Sequence, residues 1–172
     1  MANVETKNPP YTAAHIANYI LEKASMDNVE ITNLKLQKLV YIFFGWSLVL
    51  GSKKVLFKDS IRAWKYGPVI PSLYHQFKKF EGRKIEEGTK AVIYDLKKNI
   101  VKDADEREIN SETRQTLDML WRTYKNASSG HLVFLTHEKE TPWWKTYDDL
   151  IEKEIPFRRI KSYYLRLKLG KI

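Results

Sequence analysis

Apolar residues recur along most of this chain at the three-and-four spacing of amphipathic helices. Behind Pro9 and Pro10, Thr12 is placed to cap a helix to about Met26 with Ala13, Ile16, Ala17, Ile20 and Ala24 on one face. Thr32 or Asn33 caps a second, in which Leu36, Leu39, Val40, Phe43, Ser47 and Leu50 form a buried stripe and Gly51 a left-handed stop. On this spacing Lys35 and Lys38 fall on the opposite side, a polar edge on an otherwise apolar rod. Residues 54–66 are short and β-compatible, and the GPVIP run from Gly67 to Pro71 breaks any helix. Pro71 suits the first turn of a helix carrying Leu73, Phe77 and Phe80. Residues 83–108 are charged, with short apolar pieces that fit a β-hairpin or an irregular excursion.

The helical period returns at Asn110 or Ser111, where Leu117, Leu120, Trp121 and Tyr124 line one face. Three further starts are expected: Ser128 or Ser129 ahead of HLVFLTH, Thr141-Pro142 ahead of WWKTYDDLI, and Pro156 ahead of FRRIKSYYLRLKL with Ile160, Tyr164 and Leu167 inward. The pattern predicts a mainly α fold, a compact single-domain helical bundle of about six or seven helices with a small β element between residues 54 and 108. Residues 1–11 read as a short N-terminal arm and 12–172 as one domain.

Composition sharpens this. The 172 residues suit one core, and 43% hydrophobic with 13% aromatic residues leaves ample material for it. Cysteine is absent, which removes disulfides and thiol chemistry and fits a reducing compartment. The most apolar stretch, residues 39–50, is too short to cross a bilayer, and the N-terminus lacks an apolar leader, so the expected location is cytoplasmic. The net charge of +9 is concentrated: residues 34–80 carry a net +8 and the last 16 residues a net +6 with no acid. That suits an acidic protein partner or nucleic acid, and equally a soluble Lys-rich surface.

The chain offers little catalytic material. His15, His75, His131 and His137 stand at no metal-binding spacing, and no nucleophile elbow, phosphate loop or dinucleotide fingerprint occurs. The expectation is a protein that is not an enzyme and takes no cofactor or metal. The last helix interleaves Arg158, Arg159, Lys161, Arg166 and Lys168 with Tyr163 and Tyr164, a pattern compatible with phosphate contacts and stacking. Yet Tyr164 shares its face with Ile160 and Leu167, and no DNA-reading motif is present.

Three segments in order, LKLQKLVYIFFGWSLVL, IRAWKYGPVIPSLYHQFKKF and SSGHLVFLTHEKETPWW, resemble the signature of the Panacea domain, the SocA-like or GepA-like family of antitoxins and phage-associated proteins. The resemblance runs from about Thr12 to Leu167. It implies a module that binds a cognate toxin protein, either chaperone-like or as an adaptor to a ClpXP-type protease; the alternative, which rests on the two basic blocks, is a phage or prophage nucleic-acid-binding accessory protein. The oligomeric state is not implied.

Each signature residue has a structural reading beside a functional one. Trp64 fits the core, Tyr66-Gly67-Pro68 a turn whose tip could serve recognition, and His137 a cap on terminal carbonyls. Trp143 and Trp144 are adjacent and cannot both bury on one helical face, which puts one of them at an interface. Lys35 and Lys38, with Gln37 between them, either face water or, with Lys65 and Tyr74, rim a groove for an acidic or amphipathic toxin segment. The candidate contact set is therefore Lys35, Gln37, Lys38, Lys65, Tyr66, Gly67, Pro68, Tyr74, His137 and Trp143.

Overall fold

The computed structural model describes residues 9–51, 55–95 and 98–171. Most of the expected N-terminal arm, residues 1–8, lies outside them, as does residue 54 at the start of the β-compatible run. Helices dominate: α1 (Ala13–Met26), α2 (Asn33–Ser47), α3 (Pro71–Phe77), α4 (Ser111–Tyr124), α5 (Ser129–His137) and α6 (Phe157–Lys168). Two small sheets accompany them. One is antiparallel in the order β2 (Gly67–Val69), β1 (Arg62–Trp64), β5 (Lys153–Glu154), and the other is the hairpin β3 (Val92–Asp95) with β4 (Ile100–Asp103).

The helix starts follow from local chemistry. The hydroxyl of Thr32 accepts from the Lys35 amide, the Asn110 side chain from Thr113 and the Ser128 hydroxyl from His131, so each cap satisfies an otherwise orphan N–H. Pro71 occupies the first turn of α3, where a missing N–H costs nothing.

Helix α2 is the axis of the molecule. Of its 15 residues, 13 are buried, and it packs on α1, α3, α4, α5, α6 and β2. A rod surrounded on all sides has no outer edge, so the expected polar edge is absent: Lys35, Gln37 and Lys38 are 8%, 2% and 0% exposed. The reason is the number of neighbours, which a one-dimensional spacing does not register. At Gly45 the ring of Tyr164 on α6 fills the space where a Cβ would project, so the two helices approach as closely as only glycine permits.

Three other expectations change. The GPVIP run breaks the helical pattern as expected, but its first three residues form β2, paired with β1 across a tight turn at Lys65-Tyr66. The helix expected from Pro142 to Ile151 is only a turn, and it gives way to β5. Its first bonds form, Lys145 N–H to Thr141 O and Tyr147 N–H to Trp143 O. The next carbonyls are diverted: Arg159 takes that of Lys145, while the Asp148 carboxylate captures the Leu150 amide and the Lys153 ammonium. The charged 83–108 stretch resolves as the β3–β4 hairpin, sewn to α1 by Asn18, whose amide group donates to the Ala91 and Ala104 carbonyls and accepts from the Ala91 amide. No helix among the described residues is long and apolar enough to cross a membrane.

Candidate partner-binding site

The three signature segments meet at one place, the β1–β2 hairpin. Four side chains from outside the hairpin each hold one of its backbone atoms. Gln37 Oε1 on α2 accepts from the Ile70 amide at 2.9 Å, and Lys38 Nζ one residue on donates to the Pro68 carbonyl at 2.9 Å. The His137 ring, ending α5, places Nε2 3.3 Å from the Lys65 carbonyl, and Trp143 Nε1 donates to the Trp64 carbonyl at 2.7 Å. The third strand, β5, covers only Arg62 and Ala63 of β1, and these four bonds add to the hold on the hairpin.

Gly67 makes the arrangement sterically feasible. Its φ of 99° lies in the region that strains any L side chain. A Cβ there would also fall 2.8 Å from both His137 Cε1 and Lys38 Nζ, so the glycine supplies the turn and the room for its two neighbours. Behind it runs a relay of amides: Gln37 Nε2 donates to Asn33 Oδ1 at 3.2 Å, and Asn33 Nδ2 reaches the Tyr74 carbonyl at 3.4 Å.

The ten candidate residues therefore divide by direction. Gln37, Lys38, Gly67, Pro68 and Trp143 are buried, and His137 is half-buried with both ring nitrogens facing carbonyl oxygens. Lys35 belongs to neither the hairpin nor an open rim: its Nζ donates at 2.8 Å to the carbonyl of Lys125, the C-cap of α4, where a cation complements the helix dipole. Lys65 and Tyr66 project from the tip, Tyr66 being 66% exposed with the Lys65 ammonium 5.7 Å from its ring centroid. Tyr74 is half-buried, its ring edge-on to Trp64 at 4.9 Å between centroids. Trp64 is itself half-buried, less enclosed than its expected core position, and its buried indole nitrogen has no hydrogen-bond partner.

Two exposed aromatic residues, close in sequence to the side chains that hold the hairpin, were not among the candidates. Phe134 lies one helical turn before His137 and is 60% exposed, and Trp144, next to the anchored Trp143, is 46% exposed. The adjacency of two tryptophans signals that one must face out; it does not say which. Trp143 is held by its bond to Trp64 and by stacking on Tyr147 at 4.8 Å.

Burial governs the electrostatics. Desolvation pulls the Lys38 amine down to about 7 and lowers that of Lys35 as well, and among the described residues no carboxylate bonds to either. Among the described residues no three His, Asp or Glu side chains gather as a metal centre would require. What the arrangement offers is a rigid, basic and aromatic projection.

A family model described as antitoxin SocA-like, Panacea domain, matches residues 36–144, which span every hairpin-holding residue named above. Antitoxin SocA of Caulobacter vibrioides (strain NA1000 / CB15N) is 32% identical over 141 residues, covering 80% of this chain and 72% of that protein. No solved structure matches. The chain belongs to the SocA-like, Panacea-domain antitoxin family.

Proposed function

We propose that this protein is an antitoxin that neutralises a toxin protein by direct binding, with the β1–β2 tip as the centre of contact. Membership of an antitoxin family supports the role. The observation that carries the choice of surface is the set of four side-chain bonds to the hairpin backbone, from which Lys65 and Tyr66 project outward. Preorganisation of that kind lowers the entropy cost of binding, and Tyr and Trp are the residue types that dominate interface energetics. In this reading Lys65, Tyr66 and Tyr74 touch the toxin. Gln37, Lys38, Gly67, Pro68, His137 and Trp143 hold the hairpin, and Lys35 steadies the junction of α2 with α4.

The partner segment is acidic or amphipathic, to suit Lys65 and the aromatic rings around it. Contact alone accommodates two fates for the toxin, sequestration in a chaperone-like complex or delivery to a ClpXP-type protease. Toxin abundance during co-expression separates them, falling only in the second.

The test is co-expression with the product of the neighbouring reading frame, followed by affinity measurement. Tyr66→Ala and Lys65→Glu are expected each to weaken binding at least about tenfold, the cost of losing an interface anchor, with a melting temperature within about 2 °C of the parent because both side chains are exposed. Unchanged affinity in both variants removes the tip from the interface.

A further inference from the structure

Between the end of α1 and the segment 84–90 lies a groove of about 680 Å³, lined by residues none of which belongs to the hairpin site. Its two walls are tied to each other: the Ile85 amide donates to the Ile31 carbonyl at 2.8 Å, and the Ser25 hydroxyl to Glu87 Oε1 at 2.7 Å. The charge of this groove is opposite to that of the molecule. Five glutamates line it against two lysines, Lys84 and Lys90, a net −3 in a chain of net +9. The carboxylates are dispersed, and among the described residues no three gather as a metal ion would require. Leu21, Ala24, Val29, Ile31 and Ile85 supply apolar lining, and Met26, which lines the groove too, is 68% exposed.

One of the five differs from the rest. Glu106, in the single-turn 3-10 helix Glu106–Glu108, is 7% exposed and lines the groove, and its buried Oε2 has no hydrogen-bond donor among the described residues. The ammonium of the exposed Lys90 stands 3.8 Å away, an ion pair too long to be a hydrogen bond. The nearby guanidinium groups are committed elsewhere: Arg107 donates to the Asp105 carboxylate at 2.8 Å, and Arg114 to the backbone carbonyl of Glu106 at 2.7 Å. A carboxylate taken out of water is costly until N–H donors meet its lone pairs, and Lys90 compensates its charge without supplying one.

We propose that this groove binds an organic cation, an ammonium or guanidinium group on an apolar stem, with Glu106 as the acceptor of its N–H groups and the apolar lining as the seat of its stem. Each feature selects against another ligand class. The excess of carboxylates repels phosphates and other anions, their dispersal gives a metal ion too few ligands, and a neutral apolar ligand leaves Oε2 unserved. A long side chain or linear amine combines the two needs, an apolar body and a charged end rich in donors. The same chemistry is carried by a free polyamine and by a Lys or Arg side chain of another protein. The second source would give this protein a contact for a basic segment, whereas the hairpin tip suits an acidic one. The inference does not rest on the tip.

The experiment titrates the isotope-labelled full chain with spermidine and, separately, with an end-blocked Ala-Arg-Ala peptide at constant ionic strength, following backbone amides by NMR. The amides of Met26, Ile85, Lys90 and Glu106 are expected to shift and saturate, and the probe that binds more tightly names the source of the cation. Glu106→Gln is expected to weaken that binding at least about tenfold, the loss of a charge-assisted hydrogen bond. Glu86→Gln, the same charge change at an exposed lining residue, should weaken it less than about twofold. Lys90→Met removes the competing ammonium and should tighten binding about twofold or more. Amides that respond to neither probe by about 10 mM, where even a weak site is occupied, overturn the proposal, and so do equal losses in the two glutamate variants. If Glu106→Gln fails to fold, Lys90→Met decides alone, and binding no tighter than the parent's overturns the assignment.

Discussion

An amine buried among apolar helices carries its own thermodynamic signature. Lys38 has its value pulled from 10.5 to about 7 by desolvation, the reverse of the usual lysine that gains a partner on folding. Between those two values the unfolded chain binds more protons than the folded one, and stability therefore rises as pH increases through that window. Below about pH 7 the amine is charged in both states, and its burial penalty is borne in full. We expect the melting temperature to climb from about pH 7 towards pH 10, and the climb to be lost in Lys38→Met, which keeps the volume of the side chain without its charge. Tyr19, Tyr41 and Tyr164 have hydroxyls pushed upward, chiefly by burial, and their resistance to ionisation reverses the trend above about pH 10. Equal slopes in parent and variant would place the folded-state value of Lys38 back in the ordinary lysine range.

At the scale of elements, one side chain fastens the β3–β4 hairpin to α1. Asn18 serves three backbone groups, with distances of 2.9 and 2.7 Å to the Ala91 and Ala104 carbonyls and 2.7 Å from the Ala91 amide. On the other side Gln76 brackets Val92 in the same manner. Removing Asn18 as Asn18→Ala orphans two buried groups, the Ala91 amide and the Ala104 carbonyl, while the Ala91 carbonyl keeps its bond from the Ala104 amide, and should cost at least about 2 kcal/mol. The loss should be local: amide exchange over residues 92–103 accelerates well before that of α2, and uniform acceleration across the chain would refute this assignment. The caps at Thr32, Asn110 and Ser128 and the proline start of α3 were readable because each is a contact within four residues. Asn18 was not, because its partners lie 73 and 86 residues away and its sequence neighbourhood is an ordinary helix. Lys35 and Lys38 were misplaced for the same reason: their acceptors are 90 and 30 residues distant, and a spacing rule sends every lysine outward. The site was half legible. Its motifs marked where the residues converge, while the division between those that hold the hairpin and those that project from it needed the fold.

For the whole molecule, the question is what the net charge of +9 is available to do. Part of both basic blocks is spent on internal carbonyls. Lys35 and Lys38 serve those of Lys125 and Pro68, Arg159 that of Lys145, and Lys168 that of Val49 at 2.7 Å. Lysine and arginine used in this way do not contribute mobile surface charge of the kind that displaces counterions from a phosphate backbone. We expect the remaining surface charge to steer an acidic protein better than it tracks a nucleic acid. We expect binding to duplex DNA to fall with salt at a logarithmic slope of less than about three, equivalent to no more than about three phosphates engaged. A slope of six or more would mean that cations with no bonded partner among the described residues, such as Arg158 and Lys161, line up along one face, and would return nucleic acid to the front of the partners to consider.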